Sequence, residues 1–229
     1  MFKNYNVMIR CAFNHKYGGA CVFIAPAGSG KTKSIRNYCN EFIANGGFVK
    51  LFGSELNSRK GFEHAFGDLR DNLFDLLPSK SVIVLDQLEH RGKLSEEMKS
   101  LIRHLALESR RTAACNVILS VSDVQVAQEV LVLNGNDKIQ QWGCSSDFEW
   151  TSKEVQEYID KGFKRWSKED RDTLLELGCK AKCPAFLHGI FTSLGDGFPK
   201  DRKFVEQRVQ NYDDSWKAFT STGLLNSAH

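Results

Sequence analysis

The most chemically informative stretch of this 229-residue chain is a glycine-rich loop that ends in Lys31 and Thr32. It follows an apolar run over residues 20–24 and precedes a helical pattern. Strand, glycine-rich loop and helix in this order hold phosphates, because successive backbone N–H groups turn inward and the helix points its positive end at the anion. Lys31 is expected to reach the β- and γ-phosphates of a nucleoside triphosphate, and the Thr32 hydroxyl to ligate Mg²⁺. The residues expected to bind the nucleotide are Pro26, Ala27, Gly28, Ser29, Gly30, Lys31, Thr32 and Lys33.

One position departs from the usual form of this loop. Ala25 stands where a glycine normally begins it. The departure matters only if the backbone there requires a positive φ, which alanine resists. The alternative interpretation of the whole segment is an ordinary glycine-rich turn.

A second informative element is the apolar run over residues 81–85, which is followed directly by Asp86. A run of β-branched and apolar residues without alternation is typical of a strand buried on both faces of a parallel sheet. Ligands of such sheets bind at the carboxyl ends of the strands. Asp86 is therefore the expected partner of Thr32 in holding Mg²⁺ and, with Lys31, part of the catalytic set.

The residues that follow Asp86 carry a family resemblance. The run from Leu85 to Glu89 resembles the second motif of the STAND class of signalling ATPases, in which an Asp-Gln-aromatic-Glu pattern is common. The resemblance implies that Glu89 is the catalytic carboxylate and that Gln87 orients the attacking water. The alternative is that Glu89 is a solvated residue of the loop after the strand.

A polar residue at the tip of the strand beside the Asp86 strand often senses the γ-phosphate. Ser122, and less strongly Ser120, occupy that position after the apolar run at residues 117–119. A serine hydroxyl can donate to a phosphate oxygen or to the attacking water. Ser122 and Asp123 are equally consistent with a turn that caps the next helix.

The carboxyl-terminal part of the chain carries a second resemblance. Residues 178–187 resemble the Gly-x-Pro element in the helical lid of STAND and AAA+ ATPases, which implies that Pro184 packs near the adenine or ribose. Lys180 or Lys182 would then approach the phosphates, although a helix-start proline with solvated lysines explains the segment equally well. Arg110 and Arg111 are candidates for action on a neighbouring subunit's nucleotide, against the simpler interpretation of a solvated helix end.

Strands alternate with helical patterns up to about residue 147, and only helical patterns follow. This order predicts an α/β fold with a three-layer α/β/α core of about five parallel strands, followed by an all-helical part. Together with the motifs above, it resembles the P-loop NTPases of the additional-strand (ASCE) division, which implies that the helical part is a lid. The expected domains are residues 1–147 and 148–229. Gly178 is expected to end one of the carboxyl-terminal helices.

The hydrophobic periodicity also predicts the bounds of several elements. It indicates a strand over residues 48–52, a helix from about residue 61 to 77, and a helix that starts near Pro184. Ser95 is expected to cap the helix that follows it, and Ser152 to open the first helix of the carboxyl-terminal part. Further strands are expected over residues 116–122 and 138–142, and further helices over residues 124–133 and 201–219.

Composition restricts the partners. The chain is 41% hydrophobic and 26% charged, with a net charge of +3, which weakens a nucleic-acid partner without excluding one. Seven cysteines without a Cys-x-x-Cys pair favour free thiols, with Cys21, Cys39 and Cys115 as core residues. No segment has the length of a membrane span or the pattern of a signal peptide, so we expect a soluble cytoplasmic protein.

Taken together, the motif order implies Mg²⁺-dependent binding and hydrolysis of ATP, with lid closure coupled to a protein partner or to self-assembly. Gln87 in place of an adjacent glutamate keeps open a second class of function, a nucleotide-gated binding switch with little turnover. A ring-forming motor that moves or packages nucleic acid is the third hypothesis. The preference for ATP depends on the resemblance, since no guanine-reading motif is present.

Overall fold

The computed structural model describes most of the chain, and its helices and strands are numbered here among the described residues. These are residues 9–14, 16, 18–25, 27–53, 56, 58, 60, 63, 74, 77–88, 93–113, 115–133, 139–141, 150–181, 187–188 and 202–221. The strands are β1 (Gly19–Ile24), β2 (Phe48–Phe52), β3 (Ser81–Leu85), β4 (Cys115–Val121) and β5 (Ile139–Gln141). The helices are α1 (Lys31–Ala44), α2 (Glu96–Thr112), α3 (Val124–Val132), α4 (Ser152–Gly162), α5 (Lys168–Ala181) and α6 (Arg202–Ser221).

The five strands form one parallel sheet in the order β2-β3-β4-β1-β5. Strand β4 lies between β1 and β3, so it is the additional strand that the sequence predicted. The register pairs Ile24 with Val121 and Leu85 with Leu119, which brings the carboxyl ends of β1, β3 and β4 to one edge. The glycine-rich loop between β1 and α1, called the phosphate loop below, therefore lies at the same edge of the sheet as Asp86 after β3 and Ser122 after β4.

Helices cover both faces of the sheet, which confirms the predicted three-layer core. Alternate residues of β1 point to opposite faces, because side chains alternate along a strand. Val22 and Ile24 join the cluster formed with α2 and α3, whereas Phe23 packs with α1 and the helical segment at residues 9–13. The central strands are almost fully buried, as expected for a parallel sheet covered on both sides.

Several helix starts are set by capping side chains. The Ser95 hydroxyl accepts from the Met98 N–H at the start of α2, as predicted, and this type of cap stabilises a helix by about 1 kcal/mol. Helix α4 begins with a capping box in which Thr151 and Glu154 satisfy each other's backbone N–H groups. The sequence analysis placed the start of this helix correctly at Ser152.

A separate hydrophobic cluster holds the carboxyl-terminal helices together. It consists of buried residues from α4, α5 and α6 with Phe163, Trp166 and Leu187, and Phe163 contacts Trp166 edge to face at 4.9 Å between ring centroids. All members of this cluster lie within residues 150–209. The proposed division of the chain at residues 147 and 148 falls outside the described residues.

The expectation that Gly178 ends a helix was wrong. Helix α5 continues through Gly178 to Ala181. A Cβ atom at this glycine would lie 2.8 Å from Cγ1 of Val155 and 3.1 Å from Cδ2 of Leu187. Glycine is therefore present because α4 packs closely against α5, and not because the backbone turns there.

Several sequence predictions can be compared only in part. Strand β2 has the predicted bounds. The other strands, α3 and α6 start and end within two residues of the predictions, whereas α5 extends three residues beyond its predicted end at Gly178. The helix predicted for residues 61–77 and the helix start at Pro184 lie mainly outside the described residues. Among the described helices, none combines the length and the apolar character that crossing a bilayer requires.

The three cysteines predicted to be core residues are buried with free thiols. Burial raises the pKa of Cys21 to about 12 and that of Cys115 to about 12, and it raises the pKa of Cys39 to about 11. Because the thiolate is the reactive form, these thiols are chemically inert in the folded chain at neutral pH.

We predict that Gly178→Ala destabilises the chain by about 1–3 kcal/mol, because the added methyl group overpacks a contact with the stiff, buried side chain of Val155. The matched control is Gly162→Ala at the end of α4, where an added Cβ atom has no neighbour within 4 Å among the described residues. Urea unfolding of both variants measures the difference. Equal stability of the two variants would contradict the close-packing role of Gly178.

Candidate functional site

The phosphate loop presents an uncapped helix amino terminus. Gly28 and Gly30 have φ values of 83° and 92°, in the left-handed region that favours glycine. Gly30 is the N-cap of α1, and no side chain among the described residues caps this helix. The first turn of α1 contains no acidic residue. This end of the helix is therefore suited to an anion, which both the backbone N–H groups and the helix dipole attract.

Ala25 is compatible with the loop. It is fully buried, and its N–H donates to the Val121 carbonyl at 3.2 Å, which extends the pairing of β1 with β4. Among the described residues other than glycine, positive φ values occur at Lys80, Gln87 and Ala113. The backbone at position 25 therefore does not require glycine.

Lys31 is the first residue of α1, and its ammonium group lies inside the site. The residue is only 4% exposed. Its Nζ donates to the Ala25 carbonyl and, at 2.7 Å, to the Ser122 hydroxyl. The lysine of the loop and the serine at the tip of β4 are thus in direct contact, although 91 residues separate them in the sequence.

Thr32 and Asp86 meet at the same edge. The Thr32 hydroxyl donates to Asp86 Oδ1 at 3.2 Å. Asp86 is 1% exposed, and its backbone N–H donates to the Phe52 carbonyl at 2.8 Å, which fixes the residue at the end of β3. Its second carboxylate oxygen, Oδ2, is buried without a hydrogen-bond partner among the described residues. A buried carboxylate oxygen left in this state is costly unless a cation or donor completes it.

The oxygen atoms of this pair fit a magnesium ion. Mg²⁺ prefers hard oxygen ligands and is usually bound by one or two carboxylates together with phosphate oxygens and water. Asp86 Oδ2 supplies a carboxylate oxygen that the described protein does not use, and the Thr32 hydroxyl lies beside it. Ser29 adds another buried hydroxyl without a partner among the described residues.

The remaining candidate residues lie around the contacts described above or outside the described residues. Gln87 follows Asp86 with an exposed side chain and a left-handed backbone, with φ at 60°. Ala27 and Lys33 are exposed on the loop and the first turn of α1, and Ser120 is buried in β4. Pro26, Glu89, Lys182 and Pro184 lie outside the described residues, so their roles remain predictions.

Two groups of basic residues have identified surroundings. Arg110 and Arg111 lie in the last turn of α2, which leads to the amino end of β4, the sheet edge opposite the phosphate loop. Arg111 forms an ion pair with Glu108 at 2.7 Å. Lys180 forms an ion pair with Glu176 at 2.8 Å on the exposed surface of α5. These contacts favour the simpler interpretation of solvated helix ends.

Ser122 and Asp123 make different contacts at the start of α3. The Asp123 carboxylate accepts from the N–H groups of Gln125 and Val126 at 2.8 and 3.0 Å, so it caps α3. Ser122 is left to contact Lys31. The two interpretations of this segment are therefore compatible, because they apply to neighbouring residues.

The strand order and the loop geometry define the fold class. The chain has the fold of the P-loop NTPases of the additional-strand division, to which AAA+ proteins belong. No family model matches the chain, and no curated protein is similar to it in sequence.

Solved structures with this fold include a Walker-type ATPase and replication initiation proteins. The Walker-type ATPase PABY2304 of Pyrococcus abyssi is 12% identical and has a TM-score of 0.59, and the alignment covers 100% of this chain and 77% of that one. Domain III of the replication initiation protein DnaA from Thermotoga maritima is 13% identical with a TM-score of 0.53, over 94% of this chain and 90% of that one. A replication initiator DnaA bound to AMPPCP and single-stranded DNA is 18% identical with a TM-score of 0.56, over 91% of this chain and 64% of that one.

We predict that Ala25→Gly lowers the free energy of unfolding by about 0.5–1 kcal/mol, because glycine adds backbone entropy to the unfolded chain and position 25 does not need its conformational freedom. Urea unfolding measures the sign of the change. A stabilised Ala25→Gly variant would show that alanine strains the loop. Ala20→Gly in β1, another buried site, controls for the loss of a buried methyl group.

Proposed function

We propose that this chain binds ATP with Mg²⁺ at the phosphate loop and hydrolyses its terminal phosphoanhydride bond, in the manner of STAND and AAA+ ATPases. The observation that carries the proposal is the meeting of Lys31, Thr32 and Asp86 at one sheet edge, with Asp86 Oδ2 buried and without a partner among the described residues. An ordinary glycine-rich turn would not require a buried ammonium group and a buried carboxylate at the same edge of the sheet, because burial of each charge is costly.

Each residue has a defined task in this proposal. Backbone N–H groups of residues 27–32 and the Lys31 ammonium group bind the phosphates and offset their charge. Thr32 and Asp86 hold Mg²⁺, which when bound screens the phosphate charge that grows during transfer. Ser122 is close enough to Lys31 to contact the γ-phosphate that Lys31 binds.

The water-activating group is assigned by resemblance. Glu89 is proposed to polarise the attacking water, and Gln87 to orient it. The exposed side chain of Gln87, directly after Asp86, is consistent with this position at the site. The carboxyl-terminal helices are proposed to act as a lid, with Pro184 beside the nucleoside, and to couple nucleotide state to a protein partner or to self-assembly.

We predict that Lys31→Ala weakens binding of a fluorescent ATP analogue by about ten- to a hundredfold, because a charge-assisted contact to phosphate is worth about 1.5–3 kcal/mol. The matched control is Lys153→Ala, which removes an exposed lysine from α4 and is expected to leave affinity unchanged. Equal affinities of the Lys31→Ala variant and the unsubstituted chain would refute nucleotide binding at this loop.

A second function, a nucleotide-gated switch with little turnover, is favoured by one observation. Gln87, and not a carboxylate, directly follows Asp86. The two functions differ in whether ATP is consumed, so steady-state phosphate release separates them.

We predict that Glu89→Gln lowers phosphate release by at least about a hundredfold with ATP affinity retained, because the amide cannot take up a proton from water. Phosphate release and analogue binding are measured on the same preparation. No phosphate release by the unsubstituted chain, with tight binding, would favour the switch. Normal turnover by the variant would assign the base to another residue.

A nucleic-acid motor is the remaining alternative. One of the solved structures with this fold is described as bound to single-stranded DNA, which makes nucleic acid a reasonable ligand to test. The chain's net charge of +3 offers little general attraction for a polyanion. ATPase activity measured with and without single-stranded DNA, over a salt series, decides whether this alternative applies.

A further inference from the structure

Helix α3 carries a carboxylate that holds the segment leading into α2. Glu129 Oε2 accepts a hydrogen bond from the Leu94 backbone N–H at 3.0 Å. The same oxygen lies 3.6 Å from Lys99 Nζ, which also bonds Glu96 at 2.9 Å. Glu129 is 30% exposed, whereas Leu94 is 6% exposed, so this contact lies at the margin of the core.

Leu94 lies at the end of the connection that begins at the Asp86 carboxylate. Leu88, near the start of this connection, is 1% exposed, and both leucines belong to the cluster that includes Val126 and Val130 of α3. Both described ends of the connection are therefore buried in the cluster to which α3 belongs. Glu129 adds a directed hydrogen bond to the end that lies farther along the chain from Asp86.

The opposite end of α3 begins at the phosphate site. Ser122 accepts from Lys31 at 2.7 Å, and the next residue, Asp123, caps α3 through two backbone N–H groups. From Asp123 to Glu129 is less than two helical turns, or about 9 Å along the axis. A capped helix of this length moves as one body, since its hydrogen bonds resist bending.

A bound nucleotide would compete with Ser122, at the amino end of α3, for the Lys31 ammonium group. Phosphate oxygens carry negative charge, and charge-assisted hydrogen bonds are about twice as strong as bonds between neutral partners. They therefore compete with the neutral Ser122 hydroxyl for the Lys31 ammonium group. Because Ser122 is covalently joined to the cap of α3, loss of the Lys31 contact alters the force on that helix.

We propose that Glu129 is a positioning residue, which by way of α3 fixes Leu94, at the far end of the connection after Asp86, in relation to the Lys31–Ser122 contact. The inference rests on the proposed function, because it deepens the account of the same site. Glu129 itself is not expected to touch nucleotide. No signal local to the sequence marks this residue, which is one of several glutamates on helices.

The test compares three substitutions in the full chain. Glu129→Met keeps the length of the side chain but removes the acceptor, and Glu129→Gln keeps an acceptor for the Leu94 N–H without the charge. Lys99→Gln removes the ion pairs of Lys99 with Glu129 and Glu96 and leaves the acceptor of the Leu94 N–H in place. We predict that kcat for ATP hydrolysis falls about tenfold in Glu129→Met, with KM unchanged within about twofold, since misplacement of a site affects the reaction more than binding. Glu129→Gln and Lys99→Gln are expected to keep kcat within about twofold.

Hydrogen exchange at the Leu94 amide gives a readout that does not depend on turnover. A slowly hydrolysed ATP analogue is expected to change exchange at Leu94 in the unsubstituted chain and in Glu129→Gln, but not in Glu129→Met. The positioning role would be overturned by an unchanged kcat in Glu129→Met, by equal losses of kcat in Glu129→Met and Glu129→Gln, or by a tenfold loss of kcat in Lys99→Gln. It would also be overturned if the analogue did not change hydrogen exchange at Leu94 in the unsubstituted chain. Absence of nucleotide binding by the unsubstituted chain would refute the proposed function itself, so the two failures are distinguishable.

Discussion

A buried ammonium group and a buried carboxylate at the same sheet edge are the constraint on which the rest of the site depends. Removing a charge from water is expensive, and the fold must supply enough polar contacts to make it tolerable. Lys31 receives them from the Ala25 carbonyl and the Ser122 hydroxyl, and Asp86 receives one from Thr32. The Lys31–Ser122 and Thr32–Asp86 contacts join groups that are far apart in the sequence, so the site is complete only when the sheet is assembled.

Strand order is what satisfies this constraint. Insertion of β4 between β1 and β3 puts the end of β4 beside the phosphate loop and beside Asp86 at once. The extension of β1 by the Ala25 N–H bond to Val121 holds the start of the loop against β4. The same strand then continues through Ser122 and Asp123 into α3, and Glu129 of α3 bonds the Leu94 N–H in the segment that leads into α2.

Much of the core was predictable because its signals are local. An apolar run without alternation indicates a buried parallel strand, and the β3 and β4 runs were found for this reason. Ser95 could be identified as a cap because the apolar spacing of α2 begins next to it. The contact between Thr32 and Asp86 was expected from motif order, although its length could come only from the structure.

What could not be predicted depends on packing between distant segments. Gly178 has the sequence position of a helix end, and only the proximity of Val155 and Leu187 shows that it is a close contact inside a helix. Ser109 gives no signal in the sequence, yet its hydroxyl accepts from the Gly19 N–H at 2.6 Å and donates to the Cys115 carbonyl, which joins α2 to both central strands. The pairing of Lys31 with Ser122 likewise depends on the parallel register of β1 and β4.

The register of β1 also has a consequence for synthesis of the chain. Among the described strands, β1 pairs with β4 and β5, so that Gly19 lies opposite Asn116 and Ala20 lies opposite Ile139. During translation β1 therefore has no partner strand of the described sheet until residues 115–121 of β4 have left the ribosome. Contacts between residues so distant in sequence form slowly, because the entropy cost of closing a long loop comes before the contacts stabilise the chain. Among the described strands, β1 is followed by the longest stretch of chain before its first partner strand is made, and apolar strands that stay unpaired during folding are prone to aggregation.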